Sequence, residues 1–177
     1  MENFTNKEID INQLPQYQDV ALTKPNASYI KVIFINILLF FLALGSIIGT
    51  VLYFNPETKA INYSIAAYFT ILSIVFYIYF KSFKKRGYAV REKDIVYKAG
   101  IIAEKTTIVP FNRIQHIALN EGIFSRIFKL ASLHIYTAGG HSGEIKISGL
   151  EVDKAKAIKE ILLQQMEQTE TLTASTI

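Results

Sequence analysis

Few side chains in this sequence have the types and spacing that chemistry needs. His116, His134 and His141 are the only histidines, and cysteine is absent. A zinc-type site needs three or four ligands, each oriented by further partners. On a β-domain His116 and His134 could approach one another, yet no H-x-x-x-H spacing or carboxylate cluster backs them. They read as satisfied surface or turn histidines, with no metal. Without cysteine there is no disulfide and no thiolate nucleophile. Gly139-Gly140-His141-Ser142-Gly143 is glycine-rich, but no P-loop Lys-Ser/Thr pair follows it and no Rossmann spacing opens a helix. It reads as a hairpin turn. Ser125, Ser132 and Ser148 lie in no nucleophile elbow, and no carboxylates pair on one face for acid–base work. The sequence therefore predicts no catalytic residue and no cofactor.

One constellation remains, and it is electrostatic. Lys81, Lys84, Lys85 and Arg86 form a dense basic run. Such a run can fix membrane topology. It can also bind anionic headgroups, at about 1 kcal/mol per basic residue near a charged leaflet. Both roles can hold at once. Arg91, Lys93, Lys98, Lys105 and Arg113 would extend the surface if the strand order turned them to the bilayer. Nucleic acid is disfavoured as a partner, because a domain tethered under a membrane is a poor reader of it.

The elements that position this run are apolar. Val32–Phe54 and Ile61–Phe80 contain no charged residue. As helices they span about 34 and 30 Å, against a hydrocarbon core of about 30 Å. Soluble core helices carry a polar face, and the rest of the chain is too short to cover two such runs. Residues 31–80 are thus read as a transmembrane helical hairpin. Gly45 and Gly49 lie four apart on one face of the first span and are helix-packing positions. They serve either a dimer interface or, as the preferred reading, the packing of the hairpin itself. Ala66, Thr70 and Ser73 share a face of the second span. Asn36 is expected to bond across helices or to sit near the membrane surface.

Charge is placed unevenly. From Lys81 onward there are 15 Lys and Arg against 10 Asp and Glu; before it, 4 against 5. Basic residues mark the cytoplasmic end of a span. Lys24 and Lys31 flank the start of the first span, and Lys81–Arg86 the end of the second. Both termini are expected in the cytoplasm of a bacterium, with the short loop outside. Residues 1–30 read as a retained cytoplasmic arm, because the apolar run starts too late for a signal peptide.

Beyond Gly87 the pattern shortens to period two. Tyr88–Arg91 and Ile95–Lys98 form a hairpin around Glu92-Lys93-Asp94. Gly100 starts a turn, and Ile101–Phe111 is rich in β-branched residues, with Pro110 marking an edge or bulge. Arg113–Leu119 reads as a strand with a bulge near His116. Gly122–Leu130 reads as a short helix with Ile123, Ile127 and Leu130 on one face. Leu133 and Ile135 point inward from the next strand, and Ile145 and Ile147 from its partner, Glu144–Ser148. A helix from about Glu151 to Met166 buries Val152, Ala155, Ile158, Leu162 and Met166. A polar tail closes the chain, flexible over 169–177. The fold class is α+β: the hairpin, then over 81–168 a small antiparallel β-barrel or sandwich capped by the C-terminal helix.

Two runs carry a resemblance. Thr107-Ile108-Val109-Pro110-Phe111-Asn112-Arg113-Ile114-Gln115-His116-Ile117 and Leu130-Ala131-Ser132-Leu133-His134-Ile135-Tyr136-Thr137-Ala138-Gly139-Gly140, together with Gly87–Val90 and Asp94–Ile102, resemble the YdbS-like bacterial pleckstrin-homology (PH) family. The match covers about Lys31 to Met166. One departure is Lys129, where the family often has glycine; it bears on the end of the short helix. The resemblance implies a PH-like fold of two roughly orthogonal antiparallel sheets capped by a helix. It also implies a cytoplasmic-membrane protein, often beside a related PH-domain membrane partner. It supplies no enzymatic activity and no defined ligand. The expected function is a non-catalytic interaction module, a scaffold or subunit of a membrane complex formed with itself or such a partner. The alternative is a sensor of anionic lipid, and a membrane enzyme is less favoured. Lys84, Lys85 and Arg86 are the first candidates for headgroup contact; Arg113 and Gln115, in the most specific motif, are candidates for partner contact or strand pairing.

Overall fold

The computed structural model describes residues 20–55, 61–101, 103–138 and 143–174, with side chains to 167. Helix α1 (Tyr29–Phe54) and helix α2 (Ile61–Lys85) are each long and apolar enough to cross a bilayer. Only Val32, Ile37 and Phe41 of α1, and only Ser82 of α2, are buried within the protein. Leu38, Phe40, Leu42, Phe69 and Ile74 are among the large apolar side chains left outside. Lipid is the solvent that suits them. The polar side chains of the spans bond to their own backbones: Asn36 to the Val32 carbonyl (2.7 Å), Ser46 to Leu42, Thr50 to Ser46, Thr70 to Ala66 and Ser73 to Phe69. In hydrocarbon a donor must find an acceptor, and the carbonyl four residues back is always in reach. Of the two alternatives expected for Asn36, a bond across helices or a place near the membrane surface, the first is not made among the described residues: its amide bonds within α1.

The helices meet through aromatic residues. Phe34 packs on Phe76 with centroids 4.9 Å apart, and Phe41 meets Tyr68 edge-on at 5.7 Å. The Tyr68 hydroxyl donates to the Phe41 carbonyl at 2.6 Å.

Two three-stranded antiparallel sheets follow, in order β1-β2-β3 and β4-β5-β6. The first holds β1 (Gly87–Val90), β2 (Asp94–Ala99) and β3 (Lys105–Pro110). Asp94 closes its first turn by accepting a forked contact from Arg91. Strand β3 begins later than Ile101, because Gly100 at φ +127° turns the chain first. Pro110 ends this edge strand, where its missing N–H costs no ladder bond. The second sheet holds β4 (Ile114–Asn120), β5 (Leu130–Thr137) and β6 (Glu144–Glu151). Its register slips between Ile114 and His116, which is the bulge expected from the broken alternation there.

The core lies between the sheets and helix α4 (Val152–Ala174). Ile95, Leu133, Ile135 and Ile147 are fully buried, and α4 adds Ala155 and Leu162 at 0% exposure. The helix runs past Met166, where the apolar stripe ends, because no Gly or Pro stops it before Ala174.

One reading of the sequence is corrected and another is made specific. Helix α3 is only Ile123–Ile127. Leu130 belongs to β5 and is 1% exposed, whereas Ile123 and Ile127 are 81% and 69% exposed. The inward side of α3 carries Ser125 instead, and Lys129 at φ +53° turns the chain into β5. The stretch before α1, read as an arm, is docked on the sheets. Thr23 and Tyr88 exchange backbone hydrogen bonds of 2.8 and 2.9 Å, and the Asn26 amide donates to the Gly149 carbonyl at 2.8 Å. Gly149, at φ +80°, lets the Tyr29 ring lie where a β-carbon would clash. Residues 1–19 and the loop 56–60 lie outside the described residues.

Candidate membrane-proximal site

Both spans end against the sheets at one level. Tyr29, the first residue of α1, has its ring centroid 6.5 Å from that of Phe83 in the last turns of α2. Lys84 and Lys85 also sit in the last turn of α2, where the helix dipole favours cations.

The four cations of the run divide into two pairs by direction. The Lys84 ammonium lies 4.4 Å over the Phe80 ring, and that of Lys81 lies 5.6 Å over Tyr77. Each rests on an aromatic ring one turn back, with its charge at the rim of the apolar run. Lys85 and Arg86 turn to the sheets instead. Lys85 Nζ donates to the Ile101 carbonyl (3.2 Å) and pairs with Glu104 Oε1 at 3.0 Å. Lys98 of β2 holds the other oxygen of Glu104 at 2.8 Å. The hydrogen bond from Lys98, and next that from Lys85, pull the Glu104 carboxyl down to about 2. Arg86 reaches Ser82 Oγ at 3.3 Å, and its Nε is buried with no hydrogen-bond partner among the described residues. Burial raises the Tyr97 phenol, and the nearby Arg86 charge opposes that rise. The start of α1 is fastened in parallel. Asn26 Nδ2 donates to Glu151 Oε1 at 2.8 Å, and its Oδ1 accepts from the Ser28 amide. Lys154, then Asn26, hold the Glu151 carboxyl below its ordinary range. Each span is thus bolted separately to the sheets.

The other candidates lie elsewhere. Arg113 and Gln115 are exposed on either side of buried Ile114, at the bulge where edge strand β4 begins. Gly45 faces Tyr68, whose hydroxyl oxygen would lie 2.9 Å from an added β-carbon, while Gly49 has nothing within 4 Å. The two glycines therefore differ in surroundings although they share a helix face. His116 and His134 flank Tyr136 on the outer side of the second sheet, with centroids 5.8 and 6.5 Å from it. His134 lies on that outer face but is largely covered. Its side chain is 13% exposed, its Nδ1 lies 2.6 Å from Glu144 Oε1, and its Nε2 is buried without a partner among the described residues. Among the described residues no three His, Asp or Glu converge on a point. His141 lies outside them.

Sequence reasoning missed Glu104 and Asn26. Glu104 carries no local signal, since its partners come from α2 and β2. Asn26 had one: an Asn two residues before a Ser that precedes an apolar helix is a helix-start pattern.

Residues 27–166 match the family model described as Bacterial PH domain. Over 82 residues the chain is 30% identical to the UPF0699 transmembrane protein YdbT of Bacillus subtilis (strain 168). That alignment covers 46% of this chain and 17% of that relative, so the shared part is a small fraction of the relative's length. No solved structure matches. With two apolar helices leading into paired antiparallel sheets and a closing helix, and with the family match running across all of them, the chain belongs to the bacterial PH domain family.

Proposed function

We propose that this protein is a non-catalytic subunit of a membrane protein complex. It holds its PH-like domain in a fixed attitude on the cytoplasmic side of the bacterial membrane, with both termini in the cytoplasm. The observation that carries the reading is the double fastening of spans to sheets. Lys85–Glu104–Lys98 secures α2, while Thr23–Tyr88 and Asn26–Gly149 secure α1. A domain free on a linker would need neither. A fixed attitude serves a surface that must meet a neighbour in one orientation. Exposed Arg113 and Gln115 are available on the domain. In the spans, Gly49 and the apolar groove between α1 and α2, about 710 Å³ and lined by Asn36, Phe41 and Val75, are available to another helix. The neighbour in this reading is a second copy or a related PH-domain membrane protein. The test is co-purification from native membranes of two differently tagged copies, or of one copy with a second PH-domain membrane protein. Recovery of the chain alone, as a monomer, overturns the proposal.

A second reading, recognition of anionic lipid, is favoured by Lys81 and Lys84, whose ammonium groups rest on rings at the edge of the apolar run. Lys85, paired with Glu104, and Arg86, bonded back to Ser82, are engaged within the protein.

A further inference from the structure

We infer that α3 is a second membrane contact, a short wedge whose Ile123 and Ile127 enter the same leaflet that α1 enters at Tyr29. It goes beyond the scaffold reading and needs only that α1 and α2 cross a bilayer.

Three observations carry it. The first is exposure. Ile123 and Ile127 stand one helical turn apart on one face of α3, at 81% and 69% exposure. Outside α1 and α2 no other large apolar residue described is as exposed; Ile161, the next, stands at 47%. Comparable exposure is otherwise found in the spans, where Phe40, Ile47 and Tyr63 are 66%, 63% and 80% exposed. Two adjacent isoleucines held out of the core mark a contact surface.

The second is position. The Lys31 ammonium, in the first turn of α1, lies 5.9 Å over the Phe128 ring, at the C-terminal end of α3. The wedge is therefore beside the point where α1 leaves the domain.

The third is the company it keeps. Arg126 lies between the isoleucines with its side chain 76% exposed, and Lys129 follows in a left-handed turn. Apolar side chains interleaved with long cations are the composition of elements that lie in the interface, cations among the headgroups and aliphatic groups beneath them. Ser125 on the opposite side is buried and anchors α3 to the domain. Lipid is chosen over a protein partner because the Lys31–Phe128 contact places α3 beside the first turn of α1, where a helix that crosses a bilayer enters it.

The chain lacks cysteine, so single-cysteine variants of the full protein report one site each. Ile123→Cys, Ile127→Cys, Leu42→Cys in the middle of α1 and Glu92→Cys in the turn beyond β1 are labelled with an environment-sensitive fluorophore. Each is reconstituted alone into lipid bilayers with brominated acyl chains. All four positions are exposed, so labelling leaves the fold intact, checked by thermal melts. The expected result is quenching at Ile123 and Ile127 at least about threefold above Glu92, strongest for bromines near the headgroup end of the chain. Quenching at Ile123 and Ile127 equal to that at Glu92, with Leu42 quenched, overturns the wedge and leaves the spans standing. Loss of quenching at Leu42 as well overturns both.

Discussion

Lys85, the last residue of the second span, and Glu104, just ahead of β3, meet at 3.0 Å, so that the basic run written as a membrane signal is also a hinge pin. Lys98 completes the clasp from β2.

The pin is sensitive to acid in a definite direction. The folded-state pKa of Glu104 is held down to about 2 from an ordinary 4.5 by Lys98 and Lys85. Its contribution is therefore complete above the ordinary value and drains away as the pH falls through the folded one. Glu104→Gln removes that contribution at all pH values. In thermal melts of the solubilised chain, the wild type should lose more stability than Glu104→Gln between about pH 4.5 and 2. Parallel profiles would show that the clasp is too well solvated to matter.

The C-terminal helix supports a prediction of ordinary packing. Leu162 is fully buried against the sheets, and its neighbour Leu163 is 39% exposed. Leu162→Ala should cost about 3 kcal/mol by removing buried methyls and leaving a cavity, while Leu163→Ala should stay within about 0.5 kcal/mol. Chemical denaturation in one detergent compares the two directly. Equal effects would mean that α4 does not cap the core.

Much of this was legible in the residues, and the remainder was not for physical reasons. The two long apolar helices were legible from length and lack of charge, as runs long enough to cross a bilayer. Leu133 with Ile135, Ile145 with Ile147, and Ala155 with Leu162 followed from periods of two and of three to four, because each faces a single core. The bulge at His116 followed from a failure of that period. Helix α3 was misread because a period locates a face and not its solvent: Ile123 and Ile127 do share a side, but it is turned from the core. The Thr23–Tyr88 pairing and the Glu104 clasp are long-range, and no local pattern announces which backbone or cation will arrive.

Lys129 offers a gain of stability. It sits at φ +53° between α3 and β5, where its β-carbon is strained against the backbone. Glycine at this point would avoid that strain. Lys129→Gly should raise stability by about 1 kcal/mol, the relief of left-handed strain less the extra freedom of glycine in the unfolded chain. A thermal or denaturant midpoint below that of wild type would show that the Lys129 side chain contributes contacts that outweigh its backbone.

The two glycines of the first span separate hairpin packing from assembly. A β-carbon at Gly45 would meet the Tyr68 hydroxyl at 2.9 Å, and that hydroxyl is held by the Phe41 carbonyl. A larger side chain there must displace Tyr68 and break the bond, at a cost of about 2 kcal/mol, within the range for overpacking a tight contact. Gly49 opens on nothing within 4 Å. Gly49→Leu should leave the hairpin intact and, if a second helix uses this face, abolish self-association by preventing close approach. Gly45→Leu should do the reverse, lowering thermal stability in the monomer. The measurement is a pair of readouts on each variant: a melt in detergent and energy transfer between labelled copies in bilayers. Loss of energy transfer in Gly49→Leu with an unchanged melt would identify the open face as the contact between copies. Unchanged transfer would move that contact to the groove beside Asn36 or to the PH-like domain.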